Sequence, residues 1–272
     1  MHSNASDLLV SNASFSYASG FTLNHINLCV PGGQMVGLLG PNGCGKTTLL
    51  KLATGVLVPS EGEVRIGEIS LKKLLRREVA MQIAVVPQEL NIPFAYTVEE
   101  VVMLGRTPFL KGLAGEGKRD HQIVSGVLEL TGMTGFRGRY FNELSGGERQ
   151  KIVLAMALAQ EPVILLLDEP TSHLDISHQI EILDLLRKFN REKKVTIVAA
   201  MHDLNLAALY FERLVLLGRG LVFADGSPDE VITAEIIQNV FSAKVEIARH
   251  PKTSVPQIVL LPDNLSNISS LL

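Results

Sequence analysis

Three short segments carry residue types at spacings suited to handling a polyphosphate. Gly40-Pro41-Asn42-Gly43-Cys44-Gly45-Lys46-Thr47 fits the pattern G-x-x-x-x-G-K-[ST] at every position. Glycines there let the backbone wrap closely around phosphates, with several N–H groups turned inward. A helix starting near Lys46 aims the positive end of its dipole at the same anion. Lys46 would reach the β- and γ-phosphates of a nucleotide, and the Thr47 hydroxyl would ligate Mg²⁺. The bland alternative is an accidental glycine-rich turn, but the apolar strand before it and the helical pattern after it weigh against that.

The second segment, Val163-Ile164-Leu165-Leu166-Leu167-Asp168-Glu169, is an apolar strand ending in two adjacent acids. Asp168 can hold Mg²⁺, directly or through water. Glu169 is expected to point the other way along the strand and to polarise a water for in-line attack. Alone, such acids are more often solvated strand caps; paired with the phosphate loop they gain weight. The third segment is Leu144-Ser145-Gly146-Gly147-Glu148-Arg149-Gln150. Ser145 is a good N-cap, and Glu148 lies three residues on, as in a capping box. The two glycines expose backbone N–H groups at the helix start, a second anion site. A merely capped helix is the plainer reading. One compact site has little use for two separated phosphate-binding helix ends, which points the second at a neighbouring subunit's nucleotide.

These segments need a scaffold. Gln34 to Leu39, Ile83 to Val86, Val163 to Leu167 and Val195 to Ala200 read as buried strands. Helical patterns run from Lys46 to Ala53, Ile176 to Arg191 and Asp203 to Phe211. Buried strands alternating with helices indicate an α/β fold with parallel strands. Residues 11 to 30 read as antiparallel strands, while residues 97 to 160 hold helical patterns and no convincing strand. Leu214 to Leu217 and Leu221 to Ala224, joined through Gly218-Arg219-Gly220, form a hairpin. Short helical patterns follow Pro228 and run from Ala234 to Phe241. Residues 228 to 262 read as helices and strands closing the domain.

Composition narrows the class. The chain has 272 residues, 46% apolar and 19% charged, which excludes a disordered chain. A formal charge of −3 argues against a generic nucleic-acid binder. Two cysteines, Cys29 and Cys44, exclude a disulfide framework or a cysteine-based zinc site. A reducing cytoplasm is the natural compartment. Mean hydropathy is high at +0.25, yet no stretch has the roughly 20 mostly apolar residues of a spanning helix. Met1, His2, Ser3 and Asn4 lack the basic flank of a signal peptide. The chain therefore reads as soluble by itself, with one face free to dock on a greasy partner.

In their order, these segments resemble the nucleotide-binding subunit of an ABC transporter, over about residues 8 to 250. Gly40, Pro41, Asn42, Gly43, Cys44, Gly45, Lys46 and Thr47, followed by Thr48, match its Walker A loop. Asp168 and Glu169 match the end of Walker B. Ser145, Gly146, Gly147 and Glu148 resemble the LSGGQ signature, with Glu148 in place of the final Gln. Tyr17 corresponds to the aromatic that stacks on adenine, Gln88 to the Q-loop glutamine, Asp175 to the D-loop and His202 to the switch histidine. Taken singly, Tyr17 would be a core aromatic, Gln88 a turn residue and His202 a capping histidine. Cys44 invites thiol modification that blocks nucleotide, or is simply a tolerated small residue.

The resemblance implies a P-loop NTPase ABC cassette: an α/β fold with a parallel-sheet core, an N-terminal antiparallel β subdomain and an inserted helical subdomain. A single domain spans 1–262, with a RecA-like core at about 1–90 and 160–262, a helical subdomain at about 91–159, and a frayed tail over 263–272. The implied ligands are ATP and Mg²⁺, the metal falling to Thr47, Gln88 and Asp168 and the catalysis to Glu169, His202, Lys46 and Gln88. A head-to-tail homodimer would sandwich ATP between the Walker A loop of one subunit and the Ser145–Glu148 signature of the other. Two copies of a multi-spanning permease and an external substrate-binding protein are the implied partners. The implied location is peripheral, on the cytoplasmic face of the membrane.

Val98-Glu99-Glu100-Val101-Val102-Met103-Leu104-Gly105-Arg106-Thr107-Pro108 resembles a pattern of ATPases serving iron–siderophore, haem and cobalamin importers. Zinc/manganese and molybdate importers share parts of it, and its plain reading is a dock for any permease of that type. DNA-repair ABC ATPases would carry a coiled-coil or zinc insert, and ribosome-acting ones two cassettes. Many exporters fuse membrane spans to the cassette, and none is read here. Intact Lys46, Asp168, Glu169 and His202 argue against a non-catalytic regulator.

Overall fold

A computed structural model describes residues 6–18, 20–110 and 115–261. The N-terminal Met1 to Asn4 and the tail expected to fray over 263–272 lie outside the described residues. The chain begins with β1 (Leu8–Ser16), β2 (Thr22–Val30), β3 (Met35–Leu39), α1 (Lys46–Ala53), β4 (Glu61–Ile66), β5 (Ile69–Ser70), α2 (Arg76–Ala80) and β6 (Ile83–Val86). Three helices follow, α3 (Val98–Leu104), α4 (Lys118–Leu130) and α5 (Gly146–Ala159). Alternation then resumes with β7 (Ile164–Asp168), α6 (Ile176–Lys193), β8 (Thr196–Ala200), α7 (Leu204–Tyr210), β9 (Arg213–Gly218) and β10 (Leu221–Gly226). Helices α8 (Pro228–Val231) and α9 (Ala234–Phe241) and the hairpin β11 (Val245–Arg249) and β12 (Pro256–Leu260) complete the described chain.

The central sheet has the order β10-β9-β3-β8-β7-β6. β9, β3, β8, β7 and β6 run parallel, and β10 returns antiparallel along one edge as the expected hairpin. β3 and β8 are buried at every position. Their period-2 geometry sends alternate side chains into two different cores. Met35 and Leu39, Leu165 and Leu167, and Ile197 and Ala199 face the core shared with α3 to α7. Val36 and Leu38, Ile164 and Leu166, and Val198 and Ala200 face the core shared with α1 and the N-terminal sheet. A continuous apolar run therefore serves both layers.

The N-terminal sheet has the order β2-β1-β4-β5 and is antiparallel throughout. It starts at Leu8, earlier than residue 11. The sequence reading assigns no strand to residues 61–66, where Glu61, Glu63 and Arg65 dilute the apolar pattern. Val64 and Ile66 are the buried half of that strand. Gly62, at φ 75°, lets the chain approach Ser11 and Asn12 where β1 bulges; a Cβ there would collide with their carbonyls.

α3, α4 and α5 pack on one another, and among the described residues 97–160 contain no strand beyond an isolated Thr97–Tyr140 bridge. Arg106, 2% exposed, joins them: it donates to Asp120 Oδ1 at 2.9 Å, Ala159 O at 2.7 Å and Glu161 Oε2 at 3.0 Å. Gly105 lies so close to Met156 O that no Cβ fits. Thr97 and Glu100 form a capping box at the start of α3. Glu100, Gly105 and Arg106 of the Val98–Pro108 pattern are thus residues that build this helical unit.

Candidate ATP site

Four neighbouring strands deliver the chemistry. The phosphate loop leaves the carboxyl end of β3, the His202 segment that of β8, Asp168 and Glu169 that of β7, and Gln88 that of β6. Parallel strands put all these ends on one edge, where open α/β sheets take their ligands.

Within the loop, Gly40 has φ 145° and Gly45 φ 110°. A Cβ on Gly40 would run into Leu217 O and Cys44 Sγ, and one on Gly45 would lie 2.9 Å from Phe21 Cζ. Gly45 is also the N-cap of α1, without a side-chain cap, and the first turn has no acid. The other helix starts in the site region are capped by side chains, so this one keeps its N–H groups available to an anion. Lys46 is buried and donates from Nζ to Gly40 O at 2.7 Å and Pro41 O at 3.4 Å. Cys44 is buried beneath the loop, and burial raises its thiol pKa, which disfavours the reactive thiolate.

Thr47 Oγ1 donates to Asp168 Oδ1 at 3.1 Å. Burial pushes the Asp168 carboxyl above its ordinary value, opposed in part by that hydrogen bond. Glu169 lies just past the strand in the left-handed region, at φ 54°. Gln88 Nε2 donates to Glu169 Oε2 at 2.7 Å, and His202 Nε2 lies 2.5 Å from Glu169 Oε1. Glu169 is thus clasped by two groups that lie 81 positions before and 33 positions after it in the chain.

A cavity of about 320 Å³ opens above the loop, lined by Tyr17, Phe21, Asn42, Lys46, Thr48 and Glu169 among others. Tyr17 stands edge-on to Phe15, ring centroids 4.8 Å apart, and 6.4 Å from Phe21. Phe21 is a lining residue the sequence reading misses; three aromatics within seven positions were its only signal.

The signature residues and Asp175 are not in this cavity. Ser145 caps α5 through Glu148 N, and Glu148 Oε2 takes Ser145 N and Oγ, each at 2.8 Å, closing the expected capping box. Space beyond Gly146 is open. Asp175 caps α6 and binds His178, whose ring packs directly on Gly147 with no room for a Cβ.

A parallel-sheet core with a phosphate loop, an antiparallel sheet and a helical unit, and these groups gathered on one edge, define an ATP-binding cassette. The family model for ABC transporters matches residues 23–172, and the chain belongs to that family. It is 40% identical over 243 residues to a probable siderophore transport system ATP-binding protein of Bacillus subtilis, covering 89% of this chain and 88% of that one. It is 38% identical to an iron(3+)-hydroxamate import ATP-binding protein of the same species, covering 94% of each. A solved structure described as an inward-facing conformation of a putative metal-chelate type ABC transporter superposes with a TM-score of 0.84 at 31% identity, over 96% of this chain and 99% of that one. The chain is accordingly an ATP-binding, ATP-hydrolysing cassette.

Proposed function

We propose that this chain is the ATPase subunit of an importer for a metal chelate: a ferric siderophore, haem or cobalamin. It works as a homodimer on two copies of a multi-spanning permease fed by an external binding protein. The observation that carries the reading is the division of the phosphate-contact groups. Lys46 and the α1 start line the cavity, while the α5 start, at Ser145 to Glu148, lies outside it and faces open space at Gly146. Two chains arranged head to tail supply both halves to each ATP. The near-full-length likeness to siderophore and hydroxamate import ATPases supports the cargo class.

In this reading Tyr17, with Phe21 beside it, stacks on adenine. Lys46 exchanges its loop carbonyls for the β- and γ-phosphates. The hydroxyl, carboxylate and amide oxygens of Thr47, Asp168 and Gln88 are hard donors of the kind Mg²⁺ takes, and the Thr47–Asp168 contact already brings two together. A Mg²⁺ held by these groups would neutralise charge on the phosphate oxygens. Glu169 accepts the proton of the attacking water as the new P–O bond forms and the bond to the β-phosphate oxygen breaks, releasing ADP and phosphate. His202 contacts the γ-phosphate. The division into a core and a helical subdomain at about 91–159 lets closure of the dimer move one unit against the other.

A groove of about 520 Å³ beside α3 supports permease docking. Met103, Leu104 and Leu110 are among its apolar lining residues, and Glu99 and Glu116 among its charged ones. Among the described residues no helix is long and apolar enough to cross a membrane; the proposed place is peripheral, on the cytoplasmic face of the membrane, where the permease would hold the chain. The test is a tagged pull-down from native membranes in mild detergent, with mass spectrometry. A many-spanning permease with a binding lipoprotein carrying a metal chelate is the expected outcome. Exclusively soluble partners, with the chain absent from membranes, would overturn the importer reading.

A further inference from the structure

The carboxyl-terminal hairpin reaches the segment that carries His202 through Asn205, whose backbone O accepts from Gln257 Nε2 at 3.5 Å and whose side chain makes the closer contacts. Asn205 Oδ1 accepts from Ile258 N at 2.7 Å, and Asn205 Nδ2 donates to Ile258 O at 3.2 Å. The side-chain amide thus stands in for a neighbouring strand, satisfying both backbone groups of one residue on the open side of β12. Ile258 faces Ile247 in the β11–β12 ladder and also packs against the main core, so the hairpin is a fixed body. Asn205 is in turn fixed to its own helix: its N–H and that of Leu206 donate to Asp203 Oδ1 at 2.8 and 2.9 Å.

His202 lies between two anchors. On its amino side, Met201 N donates to Leu38 O at 2.9 Å and ties the segment to β3. On its carboxyl side, the tie is the Asp203–Asn205 turn and, through Asn205, the hairpin. The hairpin lies beyond residues 23–172, the part matching the family model. The His202 side chain is 44% exposed and lies 2.5 Å from Glu169 Oε1. Displacement of a reacting group by about 1 Å costs on the order of 10²-fold in rate.

We propose that Asn205 is a positioning residue, which uses the β11–β12 hairpin as a rigid backstop to hold His202 against Glu169. This rests on the reading of His202 as a γ-phosphate contact, and the test separates the two. ATP hydrolysis is measured on the full chain with Mg²⁺ for wild type, Asn205→Ala, Asn205→Asp and His202→Ala, alongside thermal melting. The expected result for Asn205→Ala is a fall in kcat of about tenfold, with KM for ATP and melting temperature near wild type. Asn205→Asp keeps the 2.7 Å acceptor for Ile258 N but loses the Nδ2 donor to Ile258 O, so only part of the rate should return. Amide exchange should quicken at residues 256–260 in Asn205→Ala. A wild-type kcat in Asn205→Ala, with His202→Ala inactive, overturns the positioning role and leaves the His202 reading standing. A wild-type kcat in His202→Ala overturns both. A loss in Asn205→Ala that tracks a lowered melting temperature, and that Asn205→Asp does not relieve, reduces Asn205 to a packing residue and overturns the proposal.

Discussion

His202 Nε2 and Glu169 Oε1 lie 2.5 Å apart, which makes the switch-position histidine a direct partner of the second acid of the β7 pair. With Gln88 on its other oxygen at 2.7 Å, the Glu169 carboxylate has both oxygens occupied by protein. If Glu169 is the base, as proposed, an attacking water needs one of them, and nucleotide entry should then loosen this clasp. Replacing Glu169 by Gln keeps the shape and removes the proposed base. The variant should hydrolyse ATP at least about 10²-fold more slowly. With ATP and Mg²⁺ it should accumulate as a closed dimer by size-exclusion light scattering. A monomer hydrolysing at the wild-type rate would show the assignment of Glu169 to be wrong.

Gly147 owes its identity first to His178, whose ring occupies the space of any Cβ. Gly147→Ala should therefore lower the melting temperature, because the rigid ring and its bond to Asp175 must shift. Adding His178→Ala should recover most of that loss. If the double variant melts as low as the single one, the collision is not the cause.

Arg106 is the buried cation of the helical unit, and removing it leaves Asp120, 14% exposed in its side chain, without its main charged partner. Arg106→Met should cost about 3 kcal/mol. In a chain of this size that lowers the melting temperature by roughly 5–10 °C. Calorimetry gives the number directly.

Acid should weaken the helix caps. Backbone N–H groups from Ser145, Thr97 and Ser227 hold the Glu148, Glu100 and Glu230 carboxyls below their ordinary range; the Gly117 N–H, then Arg106, does so for Asp120. Because the folded values are the lower ones, this stabilisation is complete above the unfolded values of about 4 and is lost as pH falls through the folded ones. Melting temperature should be insensitive to these groups between about pH 5 and 7 and fall below about pH 4. Glu148→Gln should flatten part of that acid limb in circular-dichroism melts.

The groove beside α3 offers a cleaner separation of docking from catalysis. Leu104 is 44% exposed on its wall and does not line the ATP cavity. Leu104→Asp should leave ATP hydrolysis by the isolated chain within about twofold, as surface changes away from a site usually do, and abolish co-purification with the permease. Retained co-purification would move the dock elsewhere.

By itself the sequence determined the local parts. Limits such as Ile83–Val86 and Ala234–Phe241 were readable because a buried strand is a short continuous apolar run and an amphipathic helix repeats about every 3.6 residues. The phosphate loop and the Ser145–Glu148 capping box were readable because both are contiguous and rest on backbone geometry. β4 was not, since its charges mask the alternation and only pairing with β1 buries Val64 and Ile66. Tertiary structure decided the rest. The order β3-β8-β7-β6 brings Lys46, His202, Glu169 and Gln88 to one edge although the chain spaces them far apart. The Arg106 pairs, the Gly147–His178 contact and the Asn205–Ile258 tie likewise join residues whose encounter depends on how whole elements pack. Periodicity records which face of an element is buried, and it holds no record of the neighbour that buries it.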